Sequence, residues 1–287
     1  MIRRFGSWIE KSFLAAALWS MLLTVLIFAF MLVLGLPLFK ENRFLLLLTS
    51  PWAPGDGQFG IYPMIISSMA ISFLSLCLGV PLALGASVFI CVIQPGRPGR
   101  WLKKIVILMT AIPTVVYAFV GVFLLVPLVQ STFEAGSGMN ILTAALVLSV
   151  LIAPTMILIF SNSFNNVPLS YRSAADALGA SPVQKLCYVL LPASWKGIVA
   201  GLILGAGRAI GDTLVALMLA GNAVAVPGGI FDSARTLTAH IALVTAADYD
   251  SVEFRTIFAC GILLYLMTLI MVLAVRFLSS FKTEVNT

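Results

Sequence analysis

Apolar residues in this chain come in long unbroken runs, not in alternation with polar ones. Six runs cover roughly 13–39, 62–93, 105–130, 141–163, 198–221 and 257–279. About 20 consecutive apolar residues cross the hydrocarbon core of a bilayer. Inside that core each backbone N–H and C=O must be satisfied within its own segment or in a closed barrel, so runs this long predict helices. The expected fold is an all-α integral membrane protein with six transmembrane helices. The first run exceeds the about 7–15 apolar residues of a signal peptide, and further spans follow it, which predicts a retained helix. Residues 1–60 form an N-terminal helix and outer loop, and residues 61–280 form the core.

Composition excludes an ordinary water-soluble domain. Of the 287 residues, 61% are hydrophobic and 10% charged, where soluble domains carry about 25% charged residues. The mean hydropathy is +1.09. The net charge is +6, yet it does not mark a nucleic-acid binder: basic residues cluster at the ends of apolar runs, and no aromatic–basic interleaving of the kind that stacks bases is present. Arg3, Arg4 and Lys11 precede the first run. Arg97, Arg100, Lys103 and Lys104 follow the second, Arg172, Lys185 and Lys196 follow the fourth, and Arg276 and Lys282 close the chain. The alternate loops carry most of the acids, among them Asp56, Glu134, Asp232, Asp248 and Glu253. Lysine and arginine mark the cytoplasmic side, so both termini are expected there.

Cys77, Cys91, Cys187 and Cys260 show no metal or redox spacing and read as packing residues. His240 has no second histidine and reads as a surface or packing residue of an outer loop, not a metal or catalytic group. Pro81, Pro113, Pro127 and Pro154 punctuate adjacent spans, as kinks or helix ends do.

The basic loop after the fourth run is too long for a tight turn. Pro168 and Ser170 precede helix formers through Leu178, and Gly179 stops them. Ser181, Pro182 and Gln184 spell a capping box with proline at the first helical position. The result is helix–glycine–helix on the cytoplasmic face. Ala174, Ala175 and Leu178 are expected to line one side, with Arg172 and Asp176 facing water. Such a knob serves either as a solvated connector or as a docking helix for a cytoplasmic partner.

These residues resemble the signature loop of bacterial ABC importer permeases, E-A-A-x-x-x-G, nine residues, then I-x-L-P. Here Ser173-Ala174-Ala175 is followed by three residues and Gly179, then nine residues and Val189-Leu190-Leu191-Pro192. Ser173 replaces the glutamate and Val189 the isoleucine. The resemblance implies a type I (MetI-like) permease fold over 61–280, with the loop 164–196 as the segment that couples to an ATPase. Ser173, Ala174, Ala175, Gly179, Leu191 and Pro192 would make that contact. No G-x-x-x-x-G-K-[ST] phosphate loop occurs in the chain, so ATP and Mg would be bound by a separate ATPase, and this chain would carry no cofactor and catalyse nothing itself.

The fifth run holds Arg208 and Asp212. Arginine at mid-bilayer costs about 2.5–3.5 kcal/mol on insertion scales, and an intramembrane charge is functional by default. At a spacing of four the two side chains share one helix face, as an internal ion pair or as part of a substrate path. Guanidinium matches an oxyanion with paired donors. Gly207 to Asn222 is similar to the G-R-A-x-G-E-T-M-A-V-x-M-x-x-G-N stretch of the Pst-type phosphate permeases, with Asp212 for glutamate. Ala111–Tyr117 resembles their G-I-P-S-V-V-Y, and Pro227–Ala239 their outer loop. Sulfate and molybdate permeases carry an aromatic where Thr213 stands.

The resemblance implies a phosphate importer of the bacterial cytoplasmic membrane, with Arg208, Asp212 and Thr213 on the substrate path. It implies as partners a homologous second permease, two copies of an ABC ATPase and an extracytoplasmic phosphate-binding protein. Another oxyanion, such as phosphonate, sulfate or molybdate, remains an alternative. A membrane enzyme would need an acid, base or nucleophile constellation, and the spans offer only Arg208, Asp212 and scattered hydroxyls. An ion-driven carrier would show internal repeats, and the docking loop would have no purpose in it.

Overall fold

The computed structural model describes residues 2–39, 43–134, 136–249 and 251–284. Its order is α1 (Ile2–Phe39), α2 (Arg43–Thr49), β1 (Trp52–Ala53), β2 (Gln58–Phe59), α3 (Tyr62–Val88), α4 (Arg97–Thr110), α5 (Thr114–Val120), α6 (Val126–Phe133) and α7 (Ile141–Asn165). Then come α8 (Leu169–Ala177), α9 (Pro182–Gln184), α10 (Leu191–Ala193), α11 (Trp195–Gly211), α12 (Leu214–Leu219), α13 (Leu237–Val244) and α14 (Val252–Glu284). The strands form a small antiparallel hairpin, Trp52 opposite Phe59.

Among the described residues, five helical stretches are long and apolar enough to span a membrane: Glu10–Gly35, Tyr62–Ile93, Thr114–Phe133, Ile141–Asn165 and Val252–Ala274. The fifth expected run is not one straight helix. It breaks after Gly211, and just before it the stretch Pro182–Ala193 meets Trp195–Gly211 at 73°, a bent pair that makes a sixth span if counted as one. The third span also differs from expectation. It starts at Thr114, and 97–110 is a separate amphipathic helix, α4. Pro113 explains the boundary, because proline disfavours the α conformation in the residue before it. Pro113 itself is extended, φ −60° and ψ 144°.

Proline shapes the interiors as well. The π-helical turns Gly121–Leu125 and Lys185–Leu190 end just before Pro127 and Pro192. Proline offers no N–H and its ring crowds the carbonyl four residues back, so the preceding turn widens.

Helix α7 is the hub. Its Leu148, Leu151, Ile152, Met156 and Phe160 are fully or almost fully buried. Glycines let its neighbours approach. A Cβ on Gly79 of α3 would come within 3.3 Å of Ile152 and Met156, and one on Gly201 or Gly205 of α11 would meet Phe160 or Met156 at 2.6 Å. Without a hydrophobic force between helices in lipid, such close packing holds a bundle together. Helix α1 is peripheral. Phe13, Trp19, Met21 and Val33 stand exposed, and it leans on α14 through Phe28 and Tyr265, whose rings lie 4.5 Å apart. A second cluster, Leu47, Ile61, Met64, Leu237, Ala259 and Cys260, ties the segment after α1 to α13 and α14.

Candidate functional site

Two helix breaks define the interior site. Helix α11 ends at Gly211, and Asp212 is extended at φ −74° and ψ 126°. The Asp212 Oδ1 accepts from the Val215 amide at 2.8 Å, taking a donor that the start of α12 leaves open. The second break lies at 111–113, between α4 and α5. There the Tyr117 hydroxyl donates to the Met109 carbonyl at 2.9 Å, reaching back across the gap. Helix α12 packs on α5 and α7, so both breaks meet the hub.

Arg208 lies one turn before the α11 break and is partly buried. The expected helix face shared with Asp212 does not form, because the helix stops before position 212. Arg208 instead donates from Nη1 to Thr155 Oγ1 on α7 at 3.1 Å. Among the described residues Arg208 and Asp212 make no ion pair. A hydroxyl orients the guanidinium without neutralising it. Thr213 is partly buried in the break, and its hydroxyl has no hydrogen-bond partner among the described residues. Thr238, from the N-terminal turn of α13, donates to the Asp212 carbonyl at 3.0 Å. Arg208, Asp212 and Thr213 thus come together, joined by Thr155 and Thr238. No sequence signal marks those two, since each acts through a neighbour far away in the chain.

The loop between α7 and α11 follows its expected form. Gly179 is left-handed, φ +70°. The Gly179 amide donates to the Asp176 carbonyl at 3.0 Å and the Ala180 amide to the Ala175 carbonyl at 3.0 Å, the Schellman pairing that glycine allows. Ser181 and Gln184 complete the capping box, at 3.3 Å and 2.8 Å. A groove of about 700 Å³ opens between α8 and the segment after it, lined in part by Tyr171, Ala174, Ala175, Leu178, Tyr188 and Pro192. Leu178 is 88% exposed. Ser173 lies exposed outside the groove, and Leu191 packs toward the core. Arg172 departs from expectation. It is partly buried, and a guanidinium Nη donates to the Phe164 carbonyl at the end of α7, where helix carbonyls lack partners and a cation suits the dipole. Lys185 pairs with Asp176 near the surface, a contact worth little by itself.

Among the described residues no group of three His, Cys, Asp or Glu is placed to hold a metal ion. His240 also departs from its expected loop position. It sits inside α13, fully buried, with its ring 4.3 Å from Trp52.

Broken helices converging on a partly buried charge beside the hub helix, with an open groove on a basic loop, fit a membrane-embedded permease. The chain belongs to the family of binding-protein-dependent transport system inner membrane components, whose model matches residues 75–283. It is a multi-pass protein of the inner membrane and a transport subunit. It is 35% identical over 232 residues, 80% of this chain and 75% of the other, to the probable ABC transporter permease protein YqgH of Bacillus subtilis (strain 168). It is 26% identical over 259 residues, 84% of this chain and 81% of the other, to the phosphate transport system permease protein PstC of Pasteurella multocida (strain Pm70). A bacterial ABC transporter that imports the acidic polysaccharide alginate matches 96% of this chain and 98% of its own with a TM-score of 0.64 at 18% identity. That likeness carries the fold alone, the type I importer permease fold.

Proposed function

We propose that this chain is one of two membrane-spanning subunits of an ATP-driven importer of inorganic phosphate. The observation that carries the reading is the Arg208 guanidinium, partly buried at a helix break and held by the Thr155 hydroxyl, not by a carboxylate. Its charge stays available to an anion that must shed water to cross. A guanidinium supplies both charge and directed donors for that exchange. Asp212, spent on its helix cap, adds a nearby negative charge that keeps binding weak enough for release. Thr213 offers its hydroxyl to the same anion. The relatives named PstC support phosphate, while YqgH carries only a general permease name. Phosphonate, sulfate or molybdate is the alternative cargo.

In this reading residues 1–60 add an N-terminal helix to the permease core at 61–280, with both termini cytoplasmic. A homologous second permease completes the pathway. Of two copies of an ABC ATPase, holding ATP and Mg, one docks at this chain's groove beside Ala174, Ala175, Gly179 and Pro192, with Ser173 and Leu191 flanking it, and the other docks on the second permease. An extracytoplasmic binding protein delivers the anion.

Phosphate uptake by the complete complex in vesicles tests the reading, with sulfate and molybdate as competitors. Phosphate is expected to enter and the competitors not to displace it. Arg208→Gln keeps a donor for Thr155 and removes the charge, so it should stop uptake while leaving membrane insertion and ATPase association intact. Undiminished uptake in that variant would sink the reading.

A further inference from the structure

A second guanidinium lies in the segment between α12 and α13, which the loop charges assign to the outer face. Arg235 follows Ala234, which bridges to Gly221, and it is half-buried. Its Nε donates to the Asn222 carbonyl at 3.1 Å. Among the described residues that is its one hydrogen bond, so the terminal Nη donors stay open. The acid nearest in sequence does not neutralise it: Asp232 Oδ2 accepts from the Gly228 and Gly229 amides of its own loop at 2.7 and 2.8 Å. Burial draws the Arg235 pKa down, yet arginine remains charged in proteins. An unpaired, half-desolvated cation is costly to hold, and that cost falls whenever an anion visits.

Arg235 is also tied to the Arg208 site. Thr236, its neighbour, caps α13 by accepting from the Ala239 amide at 3.1 Å. The Thr236 and Thr238 hydroxyl oxygens lie 3.0 Å apart. Thr238 commits its proton to the Asp212 carbonyl, so Thr236 is the donor of the pair. This hydroxyl ladder joins the segment carrying Arg235 to the break beside Arg208. The charge pattern gives such a cation a task. The outer loops are rich in acids and repel an approaching anion, and a fixed cation in a half-buried setting offsets that field locally.

We propose that Arg235 is an outer anion-binding station, which takes the oxyanion in paired hydrogen bonds before it moves inward to Arg208. The proposal rests on the oxyanion reading above and names a residue outside the expected site. It predicts that charge, not only the bond to Asn222, matters at this position.

The test uses the complete complex in vesicles, with radiolabelled inorganic phosphate and binding protein outside. Arg235→Gln keeps a donor for the Asn222 carbonyl and loses the charge, whereas Arg235→Lys keeps the charge. Arg235→Gln should cut the initial uptake rate about tenfold, in line with loss of a charge-assisted pair. Arg235→Lys should retain most of the rate, and the Tm of both should match wild type. Wild-type uptake in Arg235→Gln overturns the proposal. Equal loss in both variants overturns it as well, because Arg235 then only pins the Asn222 turn. Should the wild-type complex carry sulfate or molybdate in place of phosphate, the phosphate reading fails, and the same two variants decide Arg235 with that anion. Should it carry only uncharged solutes, both readings fall.

Discussion

At the scale of single residues, the partner of a charge decides what the charge is free to do. Arg208 leans on a hydroxyl and stays available. His240 is the opposite case. The Thr256 hydroxyl gives its proton to the Glu253 carbonyl at 2.6 Å, so the His240 Nε2, 3.4 Å away, is the donor of that pair and Nδ1 is left an unprotonated acceptor without a partner. Burial, with the Arg235 charge adding to it, pushes the His240 pKa from 6.5 down to about 4. The folded protein therefore refuses a proton that the unfolded chain accepts below pH 6.5. Stability contributed at this position is complete above that pH and is lost as pH falls toward 4. Melting of the purified protein in detergent should show a falling Tm across that window. His240→Phe keeps an aromatic ring against Trp52 and should flatten the fall; an unchanged slope would assign it to other groups.

At the scale of elements, the chain stops its helices by local means and uses the stops. Gly179 turns the loop after α8 in the left-handed region. A Cβ there would meet nothing within 4 Å, so the cost of substitution is backbone strain, about 1–2 kcal/mol. Gly179→Leu should therefore misdirect the segment after α8 without harming insertion. Ala175 is 7% exposed at the base of the groove, and Ala175→Arg should fill it. Each variant should lose ATP-dependent uptake and ATPase co-purification while reaching the membrane in normal amounts. Normal uptake in both would make the loop a mere connector. The breaks at 111–113 and 212–213 serve another end. They release backbone carbonyls that side chains then satisfy, Tyr117 at Met109 and Thr238 at Asp212, as irregular backbone within a spanning bundle requires.

At the scale of the whole molecule, one buried helix carries the others. Helix α7 meets α3, α4, α5, α11 and α12, and its C-terminal carbonyl at Phe164 receives Arg172 from α8. The α8 knob, the hub helix and Arg208 thus form one connected path, through Phe164 at one end and Thr155 at the other. Orientation in the bilayer can be read with single cysteines placed in a cysteine-free background. Cysteines replacing Asp56 or Asp248, both exposed, should react with an impermeant reagent from outside, whereas Asp176→Cys should stay protected in sealed cells. Outside labelling at position 176 would reverse the topology.

How much of this was legible in the chain follows from the range of each interaction. Span number, the glycine stop at Gly179 and the Ser181 capping box depend on residues within a few positions, and their patterns stand in the sequence. The spacing of Ala174, Ala175 and Gly179 is of the same kind, since they lie on one short helix and its stop. The break after Pro113 was also written there, in the rule for residues preceding proline, but the apolar run concealed it. Other features depended on contacts across the fold. Sequence spacing paired Arg208 with Asp212 because it assumed an unbroken helix. Tertiary structure gave Arg208 to Thr155, 53 residues away, and gave Asp212 to a helix cap. It buried His240 against Trp52 and drew Arg172 to the end of α7. Periodicity in an apolar chain says that a segment is in the membrane; it does not say which polar group faces which, because in hydrocarbon a polar side chain takes whatever partner the packing of the helices brings within reach.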